Sequence, residues 1–437
     1  MKQKKHKIVI VGGGAGGLEL ATRLGNKLGK KGLADITLVD AQNTHFWKPL
    51  LHEVAAGSLN AFEDELSYLA QAKWNHFRFI PGRMASLNRG DKSISLSPIV
   101  DEQNRQVVPA RTLEYDQLVI SVGSTANDFN TAGAKEHCLF LDNRKQAERI
   151  HTTLINHYQH AQACGDNVSK LRIAIIGAGA TGVELAAELH YAAIELAHYG
   201  LDAIKPENLE VTIIEGGERI LPALPERISS SVHKQLLKMG IRVMTGQLVS
   251  EIKSNGLLTR DEEFIESDIR IWAAGIKAPE FLNQIAGLES NRINQLIVKP
   301  TLQTTQDDQI YAMGDCASCT LTNNGESVTI PPRAQAAHQQ ASLLAKSLIS
   351  QVKDGNQPLE FNYKDYGSLI SLSRFSAVGN LMGAITGDMM IEGTLAKWFY
   401  ISLYRMHQMT LFGKFRTGTL ILKDLIIRTT RPQLKLH

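Results

Sequence analysis

Short, uninterrupted apolar runs alternate with stretches of helical periodicity along most of the chain. Residues 8–11 and 173–176 form two such runs, and glycines followed by helix-forming stretches at 18–24 and 183–189 come after them. Apolar runs of this length predict strands that are buried on both faces, as in a parallel sheet covered by helices. The alternation therefore predicts an α/β fold with parallel sheets between layers of helices.

Both strand–helix junctions carry the same glycine spacing. They read Gly12-Gly13-Gly14-Ala15-Gly16-Gly17 and Gly177-Ala178-Gly179-Ala180-Thr181-Gly182. In a G-x-G-x-x-G fingerprint the first glycine allows a tight turn, the second lets a pyrophosphate approach the backbone, and the third lets the helix pack on the strand. The phosphates then lie at a helix N-terminus, which favours negative charge. The doubled fingerprint predicts two Rossmann-like domains that bind two dinucleotides face to face.

An acidic residue ends the next strand after each fingerprint. The run 35–39 ends in Asp40 and the run 211–214 ends in Glu215, where a carboxylate would hold ribose hydroxyls. Glu215 would also repel a 2′-phosphate, which favours NADH over NADPH. The alternative is an ordinary solvated strand end, and the long segment 191–208 weakens the case for Glu215. Arg219 follows Glu218 and is interpreted as a surface residue rather than a phosphate ligand.

A third motif lies late in the chain. Residues 309–313 are predicted to form a short strand that leads into Gly314 and Asp315. A strand followed by Gly-Asp is by itself a common turn. Together with the two fingerprints, it is a candidate for the ribityl-phosphate region of a flavin.

With these motifs the chain resembles the flavoproteins with two dinucleotide domains, and more closely the type II, single-subunit, non-pumping NADH:quinone oxidoreductases. The resemblance covers nearly all 437 residues. It implies that the first fingerprint binds FAD non-covalently and that the second binds NADH as substrate. It also implies hydride transfer from NADH to FAD, followed by transfer of two electrons to a membrane quinone without proton pumping.

The resemblance also implies further contacts with the two nucleotides. For the flavin these are Ala41, Lys48 in the stretch 45–53, Met84, Gly123 at the end of the strand 118–122, and the backbone of Ala337 or His338. A plain core role is an equal alternative for Met84. For NADH the implied contacts are Thr181, Ala274 and Gly275. The last two end the stretch 271–275, which, like 118–123, resembles a strand on which the chain passes between the two domains.

Two glutamines and one glutamate are the candidate catalytic residues. Gln335 and Gln339 lie four apart, so on a helix they share a face and could flank a carbonyl-bearing headgroup. A polar helix face that only meets water is the alternative, and the resemblance to the family pattern A-Q-x-A-x-Q favours a quinone. Glu184 lies on the first turn after the second fingerprint, where a carboxylate can simply stabilise the helix start. The resemblance instead implies a position near the nicotinamide and flavin rings, with a role in orienting the ring or relaying protons.

The cysteines bear on the main rival functions. Disulfide reductases and sulfide oxidisers of this fold need a redox-active cysteine pair, but no cysteine follows Asp40 closely and none forms C-x-x-C between 177 and 275. Cys316 and Cys319 do form C-x-x-C, which is typical of a thiol pair or half of a metal site. No second half is present in the sequence, so we expect a structural role and no metal. An enzyme with a sulfide, thiol or small-protein partner, and a nucleotide-gated membrane redox sensor, stay open as alternatives.

Charge is distributed unevenly along the chain. Residues 394–437 contain eight Lys or Arg and one Asp, a net charge of +7, whereas the rest has 39 basic and 43 acidic residues, a net charge of −4. A basic tail on a slightly acidic body favours anionic lipid. No run of about 20 apolar residues is present, and the short basic lead at 2–7 is not a signal peptide. The few cysteines fit a reducing compartment.

The tail also has a helical apolar stripe. On a helical projection one sector holds Leu395, Trp398, Phe399, Leu403, Met406 and Met409, and the opposite sector holds Lys397, Arg405 and Gln408. The pattern predicts an interfacial amphipathic helix; a core-facing or dimer-forming helix is the alternative. We therefore expect a homodimer, peripheral on the cytoplasmic face of a respiratory membrane, with quinone and lipid but no nucleic acid as partners.

The predicted order of domains follows from these positions. Residues 1–125 and 285–390 form the FAD-binding domain, with a polar hairpin insert at 88–114. Residues 126–284 form the NADH-binding domain between them, and residues 391–437 form a membrane-associating module. The predicted fold class is therefore α/β, with two Rossmann-like domains and a C-terminal amphipathic helical module.

Overall fold

The computed structural model describes residues 5–165, 170–323, 325–372, 377–383, 387–392, 394–427 and 434–435. Its α-helices are α1 (Ala15–Leu24), α2 (Leu51–Ala56), α3 (Ala61–Asp64), α4 (Tyr68–Asn75), α5 (Ala134–His137), α6 (Arg144–Cys164), α7 (Ala180–His198), α8 (Glu226–Lys238), α9 (Ala334–Asp354) and α10 (Thr394–Ile427).

The strands of the first half are β1 (His6–Val11), β2 (Ala34–Asp40), β3 (Thr44–His45), β4 (Leu66–Ser67), β5 (Arg78–Pro81), β6 (Met84–Asn88), β7 (Ser93–Leu96), β8 (Ile99–Val100), β9 (Gln106–Val108), β10 (Arg111–Glu114), β11 (Gln117–Ile120), β12 (Thr125–Ala126), β13 (Leu139–Phe140), β14 (Leu171–Ile176) and β15 (Leu209–Ile214). Those of the second half are β16 (Arg242–Met244), β17 (Val249–Lys253), β18 (Gly256–Thr259), β19 (Phe264–Glu266), β20 (Ile269–Trp272), β21 (Ile276–Lys277), β22 (Leu296–Val298), β23 (Ile310–Ala312), β24 (Ala317–Asn323), β25 (Glu326–Thr329), β26 (Gly367–Ser371), β27 (Ala377–Gly383) and β28 (Gly387–Glu392).

The chain divides into two compact units. Unit 1 consists of Met1–Phe46, Glu65–Thr125 and Ile276–Lys364, and unit 2 of Trp47–Asp64, Ala126–Gly275 and Asp365–His437. From the sequence, we placed the end of the NADH-binding domain at residue 284. We assigned residues 47–64 and 365–390 to the flavin domain. The structure instead groups those two segments with the second fingerprint, because α2 packs on α6 and α7, and β26 packs on α7.

Unit 1 is built on a five-stranded parallel sheet with the order β23-β11-β1-β2-β5. The residues of β1 from Ile8 to Val11 and those of β11 from Leu118 to Ile120 are all buried, as expected of strands covered on both faces. Helices α1 and α9 pack against each other in this unit. The predicted insert at 88–114 is antiparallel, with strands in the order β10-β7-β6 and a separate hairpin of β8 and β9.

Unit 2 repeats the same plan. Its parallel sheet has the order β13-β20-β14-β15-β16, with the fingerprint strand β14 again in the centre. Antiparallel strands β17, β18 and β19 form a second sheet, and β26, β27 and β28 form a third. The predicted α/β fold with two Rossmann-like units is confirmed. In both units the glycine fingerprint lies at the carboxyl end of a central strand, where open α/β sheets bind ligands.

Helix α10 is the long helix near the C-terminus. Gly413 has a φ of 78° and a ψ of 167°, so the helix is interrupted there and continues in a second segment. In the part of the chain that the structure describes, none of the helices combines the length and the apolar character needed to traverse a bilayer.

Candidate active site

The first glycine loop has the stereochemistry of a nucleotide cradle. Gly12 has a φ of +101°, and a Cβ there would collide with the backbone of Ser121. A Cβ at Gly17 would collide with the carbonyl group of Gly12, whereas a Cβ at Gly14 would meet nothing within 4 Å. The first and third fingerprint glycines are therefore required by packing, and the second faces open space at the start of α1. This open backbone fits a pyrophosphate.

The second loop has the same three properties. Gly177 has a φ of +104°, and a Cβ there would lie 2.7 Å from the backbone of Ala274. A Cβ at Gly182 would meet the carbonyl of Gly177, and the space beside Gly179 is again open within 4 Å. Gly179 is the N-cap of α7, and no side-chain hydrogen bond caps it. The backbone N–H groups at this helix start are thus available to an anion.

The two acidic strand ends make matching hydrogen bonds. Asp40 accepts from the backbone N–H of Gly13 at 2.6 Å and of Gln42 at 2.7 Å. Glu215 accepts from Ala178 and from Gly217, both at 2.8 Å. Each carboxylate is therefore tied to the residue after the first glycine of its loop. This contact orients the acid beside the loop, where a ribose of a bound dinucleotide would lie.

Two buried residues that the sequence interpretation did not select hold the first loop. The carbonyl of Gly13 accepts from His45 Nδ1 at 2.9 Å and from the hydroxyl of Tyr68 at 2.7 Å. Burial lowers the pKa of His45 to about 4, so its ring is neutral at neutral pH. His45 begins the stretch 45–53, but no sequence signal connects Tyr68 with residue 13.

The late Gly-Asp motif is held at three points. The backbone N–H of Gly314 donates to Gln340 Oε1 at 2.7 Å, and Ser124 Oγ donates to Asp315 Oδ2 at 2.8 Å. The carbonyl of Asp315 accepts from Gln295 Nε2 at 2.9 Å. Gly314 has a φ of +70°, a conformation that favours glycine. Gln340 is the buried glutamine of α9 that sequence reasoning did not select, although it directly follows Gln339.

Helix α9 brings the predicted quinone motif into unit 1. Gln335 and Gln339 are both partly exposed near its start. The Gln339 side chain donates to the carbonyl of Lys364 at 2.7 Å and accepts from the N–H of the same residue at 3.0 Å. Its amide orientation is therefore fixed by the backbone, with one N–H and one lone pair remaining.

The residues between the two glutamines connect α9 to α1. The carbonyl oxygen of Ala337 lies 3.1 Å from the position that a Cβ on Gly16 would occupy, so the two helices approach closely. His338 Nδ1 is 2.6 Å from Oε2 of Glu19, which is fully buried in α1. Arg23 donates to the other oxygen of Glu19 at 2.8 Å. His338 is therefore a hydrogen-bond partner of Glu19 within this network.

Glu184 lies in a buried acidic cluster of unit 2. Its Oε1 accepts from the backbone N–H of Ser371 at 2.9 Å, and its Oε2 lies 3.6 Å from His52 Nδ1. The pKa of Glu184 is raised to about 8, mainly by burial; the Ser371 hydrogen bond acts in the opposite direction, and the charges of Glu53 and Glu188 add to the increase. The carboxyl group is thus protonated at neutral pH, unlike a carboxylate that stabilises a helix start.

The other predicted contacts differ in exposure. Lys48 and Thr181 are exposed, as are Ala41, directly after Asp40, and Gly275, which has a φ of +63°. Ala274 is half-buried behind Gly177. Met84 is buried at the start of β6, in agreement with its alternative core role. Gly123 has a φ of +72° and precedes Ser124, the partner of Asp315.

The C-x-x-C pair is buried in unit 1. Cys316 and Cys319 are both free thiols, and the Sγ of Cys316 lies 3.3 Å from the carbonyl oxygen of Met313. Burial raises the pKa of Cys316 to about 12 and that of Cys319 to about 11. A reactive cysteine acts as the thiolate. These environments therefore oppose redox activity at this pair.

The predicted membrane face is described only in part. The side chains of Leu395, Trp398, Phe399 and Leu403 lie outside the described residues. Met406 and Met409 are 46% and 39% exposed, and Phe415, beyond the interruption at Gly413, is 86% exposed. Gln408, expected on the polar face, is instead buried, and Arg405 donates to it at 2.7 Å.

The two glycine loops, each with its acidic strand end, define a class of protein with two dinucleotide-binding units. The family model described as "Pyridine nucleotide-disulphide oxidoreductase" matches residues 6–341. A type II NADH:quinone oxidoreductase of Haemophilus influenzae is 46% identical over 98% of this chain and 99% of its own length. The chain therefore belongs to the pyridine nucleotide-disulphide oxidoreductase family and, within it, to the type II NADH:quinone oxidoreductases.

Solved structures share the fold. NDH2 from Plasmodium falciparum, solved in complex with NADH, aligns with a TM-score of 0.81 at 20% identity and covers 99% of this chain and 100% of its own. The sulfide:quinone oxidoreductase of Aquifex aeolicus aligns with a TM-score of 0.73 at 15% identity over 97% and 95% of the two chains. At this level of identity the two structures establish the fold alone.

Proposed function

We propose that this NADH:quinone oxidoreductase binds FAD on the glycine loop of unit 1 and NADH on the loop of unit 2. The single observation that carries the assignment is the repeated cradle: a packed first glycine, an open second glycine and a strand-end carboxylate tied to the loop. When bound, the flavin accepts a hydride from NADH and passes two electrons to a quinone. The protein binds and orients the flavin, NADH and quinone, and it supplies protons.

In unit 1 the FAD contacts are the backbone of residues 12–17, Asp40 and the Gly314–Asp315 turn. The contacts with Gly13 and Gln42 hold the Asp40 carboxylate beside the loop, where it can accept from ribose hydroxyls. Asp315 is held by Ser124 and Gln295, so its position does not depend on the nucleotide. Ala41, Met84, Gly123, Ala337 and His338 complete the proposed set in unit 1, and Lys48, which belongs to unit 2, stays a predicted contact.

In unit 2 the NADH contacts are Gly177, Gly179, Thr181, Gly182, Glu215, Ala274 and Gly275. Glu215 accepts from the ribose and disfavours a 2′-phosphate. The guanidinium of Arg219 donates to the carbonyls of Leu221, at 3.3 Å, and Pro222, at 2.9 Å. Because the Arg219 guanidinium already donates to these two carbonyls, it is a poor candidate for binding the 2′-phosphate of NADPH. This supports the preference for NADH.

Glu184 is proposed as the acid of the site. A carboxyl group that keeps its proton at neutral pH can donate a hydrogen bond or a proton, which a carboxylate cannot. Quinone reduction consumes protons, and a buried acid with a pKa near the working pH suits this step. The burial of Glu184 by α2 and β26 supports the role.

Gln335 and Gln339 are proposed to bind the quinone headgroup through side-chain N–H groups. The backbone of Lys364 fixes the Gln339 amide, so this group is preorganised.

Helix α10 is proposed to dock on anionic lipid from the cytoplasmic face, with Met406 and Met409 toward the acyl chains. Their exposure and the basic tail support the proposal. A homodimer is also proposed, on the apolar stripe of the tail.

The experiment is a stopped-flow separation of the two half-reactions in Gln335→Ala and Gln339→Ala. We expect flavin reduction by NADH to stay within about twofold and reoxidation by a short-chain quinone to slow about tenfold, the effect of about one lost hydrogen bond. Lys346→Ala, an exposed substitution on the same helix, serves as the control. Equal slowing of both half-reactions would contradict the quinone assignment.

A further inference from the structure

A buried histidine of α2 faces the proposed acid. His52 is 2% exposed, and its Nδ1 lies 3.6 Å from Glu184 Oε2. The two residues are 132 positions apart in the sequence, and both belong to unit 2. We infer that His52 is a positioning residue for Glu184, directing an N–H group toward its carboxyl and stabilising the ionised form that appears once the proton has left.

The protonation of the ring follows from its surroundings. Within the described residues, Nε2 of His52 has no hydrogen-bond partner. The ring forms a hydrogen bond with the backbone of Pro49. Because proline has no N–H group and Nε2 has no partner, the Nδ1–H group of His52 donates to the Pro49 carbonyl. Nδ1 therefore carries the hydrogen, and this atom also lies 3.6 Å from Oε2 of Glu184. Burial lowers the pKa of His52 to about 4, so the ring is neutral at neutral pH.

The other groups around Glu184 make His52 distinctive. Glu53, also in α2, and Glu188, one turn further along α7, oppose ionisation of Glu184. Glu188 is paired with Ser58 Oγ at 2.9 Å. The backbone N–H of Ser371 satisfies only Oε1 of Glu184. Among these neighbours, His52 is the one whose polar N–H group, which donates to Pro49, also lies beside Oε2.

A purely structural role fits this ring poorly. A histidine that leaves Nε2 buried without a partner costs stability compared with an apolar residue of similar size. Buried unsatisfied groups of this kind call for an explanation other than packing. The 3.6 Å approach of Nδ1 to Oε2 gives the ring a role that an apolar residue could not fill. The inference rests on the proposed role of Glu184, and its test is arranged so that the two can fail separately.

The experiment compares His52→Leu, which removes the donor, with His52→Asn, whose side-chain nitrogen lies close to the position of Nδ1. The protonated carboxyl band of Glu184 is followed by infrared difference spectroscopy across pH, with Glu184→Gln identifying the band. Without the donor, the ionised form loses stabilisation, so the titration of Glu184 should shift upward by at least about one pH unit in His52→Leu. His52→Asn should titrate as the wild type does.

Further variants keep the test decisive. His52→Gln stays polar but has no donor at the Nδ1 position, and it should shift the titration as His52→Leu does. Ser58→Ala removes the partner of Glu188 and should shift the titration less than either. The alkaline fall in the rate of flavin reoxidation by quinone should move in the same order.

The inference is overturned if His52→Leu and His52→Gln leave the titration of Glu184 unchanged, or if His52→Asn shifts it equally. If Glu184→Gln keeps the wild-type rate profile, the role of Glu184 fails while the infrared result still decides on His52.

Discussion

At the scale of single residues, the two glycine loops make equivalent contacts with different acids, an aspartate in unit 1 and a glutamate in unit 2. Asp40 and Glu215 each accept from the N–H group that follows the first glycine of their own loop. The strand ends also meet the loops in the same way, since Gly12 donates to the Val39 carbonyl and Gly177 to the Ile214 carbonyl, both at 2.8 Å. The acids therefore act both on the loop and on the proposed ribose.

This pairing predicts that each nucleotide can be weakened separately. In Glu215→Gln an amide N–H group replaces one of two accepting oxygens and faces a backbone N–H. We expect NADH affinity to fall about ten- to hundredfold, the effect of losing about 1.5–3 kcal/mol from a charge-assisted hydrogen bond. Asp40→Asn should instead lower the flavin content of the purified protein. Each variant is the control for the other, and a Glu215→Gln protein that loses flavin while keeping its NADH affinity would contradict the assignment.

Glu184 should make stability depend on pH. Its pKa is about 8 in the folded protein, whereas the ordinary value is 4.5. The unfolded chain therefore loses this proton first, so the stability that the group contributes is complete below about pH 4.5 and is lost as pH rises toward about 8. Glu184→Gln cannot ionise and escapes the loss.

We therefore expect Glu184→Gln to gain stability relative to the wild type as pH rises from about 5 to about 8. Urea unfolding of both proteins across this range measures the difference. Glu207→Gln, at an exposed position of the same unit, should give no such trend. A difference between Glu184→Gln and the wild type that does not change with pH would show that Glu184 is ionised in the folded protein.

At the scale of secondary-structure elements, α1 and α9 are joined by a polar network as well as by close packing. Glu19 is fully buried and contacts His338, Arg23 and, at 3.4 Å, Ser342. Helix α1 begins at the first glycine loop, and α9 carries the quinone motif. The network thus fixes the helix of the proposed quinone site relative to the flavin cradle within unit 1.

The network predicts that the effects of removing its members are not additive. Glu19→Gln removes the charge that three neighbours share, and His338→Ala removes one of its partners. We expect each to lower the free energy of unfolding by about 1–3 kcal/mol, because a buried carboxylate or its partners are left unsatisfied. The double variant should cost less than the sum of the single variants, since both remove the same contact. Additive losses in urea unfolding would indicate that the two residues act independently.

The sequence was most informative about the positions of strands and helices. The strands at 8–11 and 173–176 and the helices after them follow from local periodicity and glycine stereochemistry. Their positions were predicted correctly, although α7 continues to His198, well beyond the predicted stretch 183–189. The contacts of Tyr68 with Gly13, of Gln340 with Gly314 and of His52 with Glu184 were not predicted. Each joins residues far apart in the sequence, and no local pattern indicates which distant side chain fills a buried position.

At the scale of the whole molecule, the chain combines two copies of one nucleotide-binding plan with a basic tail. The order of strands in the two parallel sheets is equivalent, with the fingerprint strand third in each. The partition of the chain could not be predicted in full, because the segments 47–64 and 365–390 pack with unit 2 although they flank unit 1 in the sequence. The net charge of +7 after residue 393 supports a membrane-facing tail.

The tail predicts a membrane phenotype for the double variant Met406→Glu/Met409→Glu. Two carboxylates on the exposed face of α10 should weaken binding to anionic vesicles at least about tenfold, because charge near such a surface contributes about 1 kcal/mol per residue. Leu237→Glu, at a 55% exposed position of α8, is the matched control and should bind as the wild type does. Unchanged sedimentation of the double variant with vesicles would contradict the proposed orientation of α10.

The most direct test of the central claim is the visible spectrum of the purified protein under anaerobic conditions. The account predicts a yellow protein with a flavin spectrum that NADH bleaches and that a short-chain quinone then restores. NADPH should bleach it far more slowly, because Glu215 disfavours a 2′-phosphate. A preparation that stays colourless when FAD is supplied, or a bleached flavin that quinone fails to reoxidise, would contradict the account.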